Sequence, residues 1–346
     1  MITLKEIAKM CNVSPSTVSN ILNGKSNMAE ETKNKVLEAV EKTGYRPNFF
    51  AQAIRRQNNR FICIIAEELL QFSTPPIVEA IMGVCEAKGY RTILINMSMY
   101  EKWRKIGVNL GEESLLKENT SPALIEAQSL KADGVIYVAA HGHVLDIIPD
   151  DFGIPVVFAY GNSISGKFKS VLIDDLGGGE LLTKYLIRAG HTEIGVISGK
   201  AENLHATERL KGYRKALIDC GIKYRDDLVL YGDWERESGR ECAKKLLAKG
   251  IKTIWCMNDL MGAGAYDAIM EAGLTVGKDV SVFGFDNREI SEYMYPQLST
   301  CELPLEDIGK TCEELMIREI ESESFRKEPA SLIKIPCKLI FRDSVC

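Results

Sequence analysis

An all-helical helix-turn-helix head with a short hinge helix, followed by an α/β body of two parallel-sheet subdomains, is the fold class that three observations predict. The first is a pair of short, capped helices joined by a tight turn near the N-terminus. The second is a long series, from Phe61 onward, of continuously apolar strands alternating with helices. The third is a charge split. Residues 1–60 hold ten Lys/Arg against five Asp/Glu, whereas the other residues hold 33 against 43. A basic head on an acidic body points to a local polyanionic partner.

In the head, Thr3 caps a first helix, with Glu6 three residues on as its capping-box partner. Leu4, Ile7, Ala8 and Cys11 then share one face. Asn12-Val13 makes the tight turn. Ser14 is the next cap and Pro15 the first helical residue, where its missing N–H costs nothing. Val18, Ile21 and Leu22 form the buried face of the second helix, and Asn23-Gly24 ends it. A third helix runs from about Glu30 to Thr43, with Val36, Leu37 and Val40 inward and Gly44 as its stop. The second helix presents Ser16, Thr17, Ser19 and Asn20 outward. Asn pairs bidentately with adenine, and hydroxyls suit phosphates. A solvated helix face would look the same. After Pro47, Asn48 caps a helix too short to stand alone in water. Its Ile54, Arg55 and Arg56 suit a minor-groove wedge with phosphate contacts.

The body reads as strands at Phe61–Ala66, Thr92–Asn96, Gly134–Ala139 and Pro155–Ala159. A second series follows at Val171–Ile173, Ile194–Ser198, Leu228–Tyr231, Thr253–Met257 and Val280–Phe285, and a last strand at about Leu332–Phe341. Ligands of such sheets bind beyond the carboxyl ends of the strands, so two subdomains make a cleft between them. The domains expected are 1–46 (head), 47–60 (hinge) and 61–346 (body). Within the body, the first subdomain takes about 61–160 and 292–322, and the second about 161–291 and 323–346.

No apolar run approaches the ~20 residues of a membrane span, and the N-terminus lacks a secretory pattern. A cytoplasmic, nucleoid-associated protein is expected. The ten cysteines are scattered singly with no Cys-x-x-Cys pair, so they read as reduced, small apolar residues. His141 and His143 lack a third ligand at a recognisable spacing, so no metal or other cofactor is expected. A nucleophile elbow and a phosphate-cradling Gly-x-x-x-x-Gly-Lys loop are absent, which argues against an enzyme. Gly177-Gly178-Gly179 opens a helix and reads as a packing feature. His191, after Gly190, reads as a structural cap.

The ordered motifs Thr3-Leu4-Lys5-Glu6-Ile7-Ala8, Asn12-Val13-Ser14-Pro15-Ser16-Thr17-Val18-Ser19, Leu22-Asn23-Gly24 and Gly44-Tyr45-Arg46-Pro47-Asn48 resemble the lactose/galactose repressor family of bacterial transcription regulators. The resemblance continues through Ala189-Gly190-His191, Arg209-Leu210-Lys211-Gly212-Tyr213, Asn258-Asp259 and Asp279 to Asn287, and so covers nearly the whole chain. It implies a body like a periplasmic sugar-binding protein. It implies that Pro15, Ser16 and Asn20 read the major groove, and that Ile54 wedges the minor groove beside Ala51. Arg209, Trp234, Asn258 and Asp286 would line an effector pocket with His205 nearby. Phe72, Ser73 and Thr74, after the first strand, would reach the ligand from the other wall.

This sequence departs from the family's pattern in places. Asn20 stands where most relatives carry Arg, which shifts the expected preference from guanine to adenine. Ala29 replaces a capping Ser, Ile54 replaces Leu, and Tyr160 stands where sugar-binding relatives often have Asp. The stretch from Met97 to Ser121 is longer than usual, and is expected to be either a pocket element or a surface elaboration.

The expected function is a repressor that binds a pseudo-palindromic double-stranded operator as a homodimer. A small, sugar-like effector in the cleft would switch it. A regulator switched by a partner protein is the alternative, and an enzyme on the α/β body is a remote one.

Overall fold

The computed structural model describes residues 2–22, 24, 28–45, 59–106, 113–142, 144–164 and 166–346. The expected hinge residues Asn48, Ala51, Ile54, Arg55 and Arg56 lie outside the described residues, as do Asn23 and His143. The chain divides into two compact units, residues 1–59 and 60–346.

The first unit packs helices α1 (Leu4–Cys11), α2 (Pro15–Leu22) and α3 (Glu30–Thr43) around Ile7, Ala8, Cys11, Val18, Ile21 and Val36. Each helix end has a local cause. Thr3 and Glu6 form the capping box, with Thr3 N–H donating to Glu6 Oε2 at 2.7 Å. Asn12 (φ 56°) and Gly44 (φ 62°) turn the chain in the left-handed region. Ala29 offers α3 no side-chain cap. One expectation fails: Leu37 is 43% exposed. Helical spacing brings it near the buried face, but only Val36 is fully covered by the two shorter helices.

In the body, β1 (Phe61–Ala66), α4 (Thr74–Ala87), β2 (Arg91–Asn96), α5 (Met99–Ile106), α6 (Glu113–Ser129), β3 (Gly134–Val138), β4 (Val156–Ala159) and β5 (Lys169–Ile173) come first. They are followed by α7 (Asp175–Arg188), β6 (Gly195–Ser198), α8 (Leu204–Asp219), β7 (Val229–Tyr231), α9 (Arg236–Ala248), β8 (Thr253–Cys256), α10 (Asp259–Glu271) and β9 (Ser281–Phe283). The chain closes with β10 (Thr300–Glu302), α11 (Leu305–Glu321), β11 (Leu332–Ile335) and β12 (Lys338–Ile340).

The strands form a parallel six-stranded sheet, β11-β5-β4-β3-β1-β2, and a parallel four-stranded sheet, β9-β8-β6-β7. An antiparallel ribbon joins β10 and β12. Most strands in both sheets are buried along their length, which is why they read as unbroken apolar runs.

Three subdomain assignments change: β10, expected in the first subdomain, pairs with β12 and lies next to β9 through the Phe283–Ser299 bridge, so it sits with the second. β5 and β11 belong to the first sheet, not the second, so the first crossing lies after Ile173 rather than near residue 160. The strand expected over 332–341 is two strands. Proline has no N–H to give a ladder, and at Pro336 the chain leaves the first sheet for the ribbon. Neither the buried β5 nor the half-exposed edge strand β11 carries a local pattern that names its sheet.

In the stretch from Met97 onward, Met97, Met99, Trp103, Leu116 and Leu124 are buried together with the outer face of the first sheet. The described residues of this stretch are partly helical and pack into the core, and Tyr100 reaches from it to His141 (Tyr100 Oη to His141 Nε2, 3.3 Å).

Candidate functional site

In the head, Pro15, Ser16 and Asn20 are exposed on one side of α2, and Thr17 and Ser19 are half-buried beside them. Ser14 Oγ accepts the Thr17 N–H at 3.1 Å and shares hydrogen bonds with Ser16 Oγ (2.7 Å) and Thr17 Oγ1 (2.8 Å). This hydroxyl cluster holds the start of α2 in one geometry. Thr3 is exposed, but its side chain is occupied by the capping box.

In the body, the expected cleft residues stand at the carboxyl ends of strands or on the helices that follow, and they converge. Asp175, at the start of α7, binds both His205 and Arg209 of α8: His205 Nδ1 lies 2.7 Å from Asp175 Oδ2, and Arg209 Nε donates to Oδ1 at 2.8 Å. Arg209 also donates to the Met257 carbonyl, stacks its guanidinium 3.7 Å from the Phe285 ring centre, and lies 3.6 Å from Asp286 Oδ1. Close helix packing makes this possible. A Cβ on Gly179 would fall 2.3 Å from the Arg209 carbonyl oxygen, and one on Gly212 would fall 2.1 Å from that of Leu176. The glycine run thus lets α7 and α8 approach until Asp175 reaches both partners.

Three of these side chains project from strained backbone. Tyr160 has φ 64°, Trp234 φ 77° and Asp286 φ 106°. Non-glycine residues held there cost of order 1–3 kcal/mol and cluster at functional sites. Tyr160, at the end of β4, is buried with its ring 5.2 Å from that of His205. Ser73 is buried across from it, and neither Ser73 Oγ nor Thr74 Oγ1 has a hydrogen-bond partner. Phe72 is half-buried with the Arg288 guanidinium 4.7 Å from its ring centre. Trp234 is half-buried against Gly199, where any Cβ would overlap its ring. Asn258 is largely committed to the fold. Its Oδ1 caps α10 through the Met261 N–H, and its Nδ2 donates to the Trp234 carbonyl.

The electrostatics divide the acids. Burial alone would raise Asp175, but His205 and Arg209 outweigh it and hold the carboxyl below its usual range. Burial pushes Asp286 up to about 8, against the pull of Arg209. Burial pushes Asp259 up to about 7, against the Thr300 hydroxyl and the Arg288 N–H that it accepts.

A carboxyl raised in the fold lends stability that is complete below its unfolded pKa. That stability is lost as pH rises through the folded value. The melting temperature is therefore expected to fall as pH rises from about 4 to about 8 and to level off above, and Asp286→Asn to flatten the fall; an unchanged slope in thermal scans would contradict this.

Sequence reasoning missed Asp175, Gly142 and Arg288. Asp174-Asp175 before the glycine run was the available signal for the first. Gly142 donates its N–H to His205 Nε2 at 3.0 Å, and nothing local marks it. His191 is structural as expected, with its N–H on Leu186 O and its Nδ1 2.9 Å from Thr253 Oγ1. Among the described residues no group of His, Cys, Asp and Glu could hold a metal ion, and no helix is long and apolar enough to cross a membrane.

A helix-turn-helix head joined in sequence to a body of two parallel-sheet subdomains, with converging charged side chains at the strand ends, is the build of a DNA-binding transcription regulator. Residues 3–48 match the family described as bacterial regulatory proteins, lacI family, and residues 183–345 match the periplasmic binding protein-like domain. The HTH-type transcriptional repressor PurR of Pasteurella multocida (strain Pm70) is 31% identical over 349 residues, covering 100% of this chain and 99% of the relative. That of Vibrio parahaemolyticus is 28% identical over 350 residues, again covering 100% and 99%. Among solved structures, the Lac repressor dimer bound to operator and the anti-inducer ONPF superposes with TM-score 0.78 at 24% identity, covering 99% of this chain and 98% of that one. The transcriptional regulator CelR in complex with cellobiose gives 0.65 at 26%, covering 99% and 100%. The chain belongs to the LacI family: it is a DNA-binding transcriptional repressor of that family.

Proposed function

We propose that this repressor is switched by a small, hydroxyl-rich metabolite, sugar-like or related, bound between the two subdomains of the body. The observation that carries this reading is the buried group of Asp175, His205, Arg209 and Asp286 at the strand ends, facing Tyr160, which neighbours the buried hydroxyl of Ser73. Buried polar groups need partners, and a ligand with many hydroxyls supplies them. Trp234 offers an aromatic face, Phe72 closes the opposite side, and Asn258 keeps one amide N–H for the ligand.

In the head, Pro15, Ser16 and Asn20 read base edges, while Thr3, Thr17 and Ser19 contact phosphates. The hinge residues Asn48, Ala51, Ile54 and Arg55 complete the site in the minor groove. A homodimer on a pseudo-palindromic operator fits this plan. The edge strand β2 offers unpaired backbone groups that a second copy could cover.

Two measurements test the reading. Asn20→Ala is expected to cost about 1–3 kcal/mol at one base position and relax the preference there; selection of binding sites with unchanged selectivity rules the assignment out. A thermal-shift screen of the full chain against sugars, nucleosides and phosphorylated metabolites is expected to yield a stabilising compound. Asp286→Ala should lose that shift while retaining operator binding, and a retained shift counts against the pocket.

A further inference from the structure

We propose that the cleft of this body is latched shut by the chain's own residues, with Gly142 and Tyr160 of the first subdomain closing on His205 of the second.

The latch is a short chain of directional contacts. Gly142, in the loop after β3, donates its N–H to His205 Nε2 at 3.0 Å. An imidazole that accepts at Nε2 carries its proton on Nδ1, and Nδ1 faces Asp175 Oδ2 at 2.7 Å. Asp175 is itself held by Arg209. The ring is thus fixed in tautomer and orientation by its own subdomain, and offers its lone pair to the other one. Position 142 has to be glycine for this: a Cβ would lie 2.8 Å from His205 Nε2 and 2.9 Å from Cε1.

Tyr160 completes the closure. It leaves the end of β4 in the left-handed region, packs its ring 5.2 Å from that of His205, and is 3% exposed. The sheet holds its N–H on the Val171 carbonyl at 2.9 Å, and the packing of its ring on His205 helps offset the strain of φ 64°. Two further contacts span the same gap. The Arg288 guanidinium lies over the Phe72 ring, and Lys334 of β11 is 3.7 Å from Glu208 of α8. The side chains assigned above to an effector are therefore buried against each other across the cleft, and a ligand competes with Tyr160 for them.

The test uses the full chain. Amide exchange by mass spectrometry should find Gly142 protected in the wild type. His205→Ala should speed its exchange about tenfold, whereas His205→Gln should keep protection, because the amide oxygen of Gln can accept the same N–H. Gly142→Val should speed exchange around Tyr160 and Ser73 and enlarge the body in solution scattering. An unprotected Gly142 amide in the wild type overturns the proposal, even where a variant fails to fold. Unchanged exchange and scattering in folded His205→Ala and Gly142→Val overturn it as well.

Operator affinity is a separate readout and rests on the cleft being the switch. Variants that open the body without altering operator affinity leave the latch standing and remove that reading.

Discussion

Arg209→Leu is expected to destabilise the body by about 3–5 kcal/mol, because it strands the buried Asp175 carboxylate without its guanidinium partner. Asp175 and Asp286 are 7% and 6% exposed at the side chain, and Arg209 lies at 2.8 Å from the first and 3.6 Å from the second. Desolvated charge of this kind has no water to fall back on. The guanidinium also stacks on Phe285 and holds the Met257 carbonyl, so three subdomain elements lose a common partner at once. Urea denaturation measures the loss. Asp175→Leu combined with Arg209→Leu should recover part of it, since removing both members of a buried pair costs less than removing one. A single-variant loss below about 1 kcal/mol would mean that the Asp175 carboxylate does not depend on Arg209.

Ile7→Ala should abolish operator binding while leaving the body folded. Ile7 is fully buried among Ala8, Cys11, Val18, Ile21 and Val36. Cutting such a side chain to Ala costs about 2–5 kcal/mol. A unit of this size buries too little surface to have much more stability than that. The head should therefore lose its helices at room temperature, and the body's thermal transition should stay where it is. Circular dichroism and operator titration read the two halves separately. Operator affinity within twofold of wild type would show a core that tolerates the cavity.

The head was nearly all legible because its determinants are local. A capping box spans three residues, a C-cap one, and an amphipathic face two turns, so Thr3, Glu6, Asn12, Ser14 and Gly44 could be assigned from neighbours alone. Leu37 escaped because the width of the covered face depends on the two helices packed across it. In the body, strand identities were legible from unbroken apolar runs, but their sheet was not. β5 begins with Lys169-Ser170 and β11 is a half-exposed edge strand with Lys334, and only pairing places them in the first sheet. Arg209, His205 and Asp286 were reached through their place in the family pattern. Asp175 and Gly142 were not, since each acts on a partner 30 to 63 residues away.

Taken by itself, the sequence determined the helix-turn-helix, its caps, the alternating body and the membership of a repressor family. These follow from contacts within one or two turns and from a long ordered motif. Only the tertiary structure decided where the chain crosses between sheets, that the described residues after Met97 pack into the core, and that His205 is held between Asp175 and Gly142. Those outcomes depend on distances between residues far apart in sequence, and they are set when glycines let two helices meet and when a proline ends a ladder.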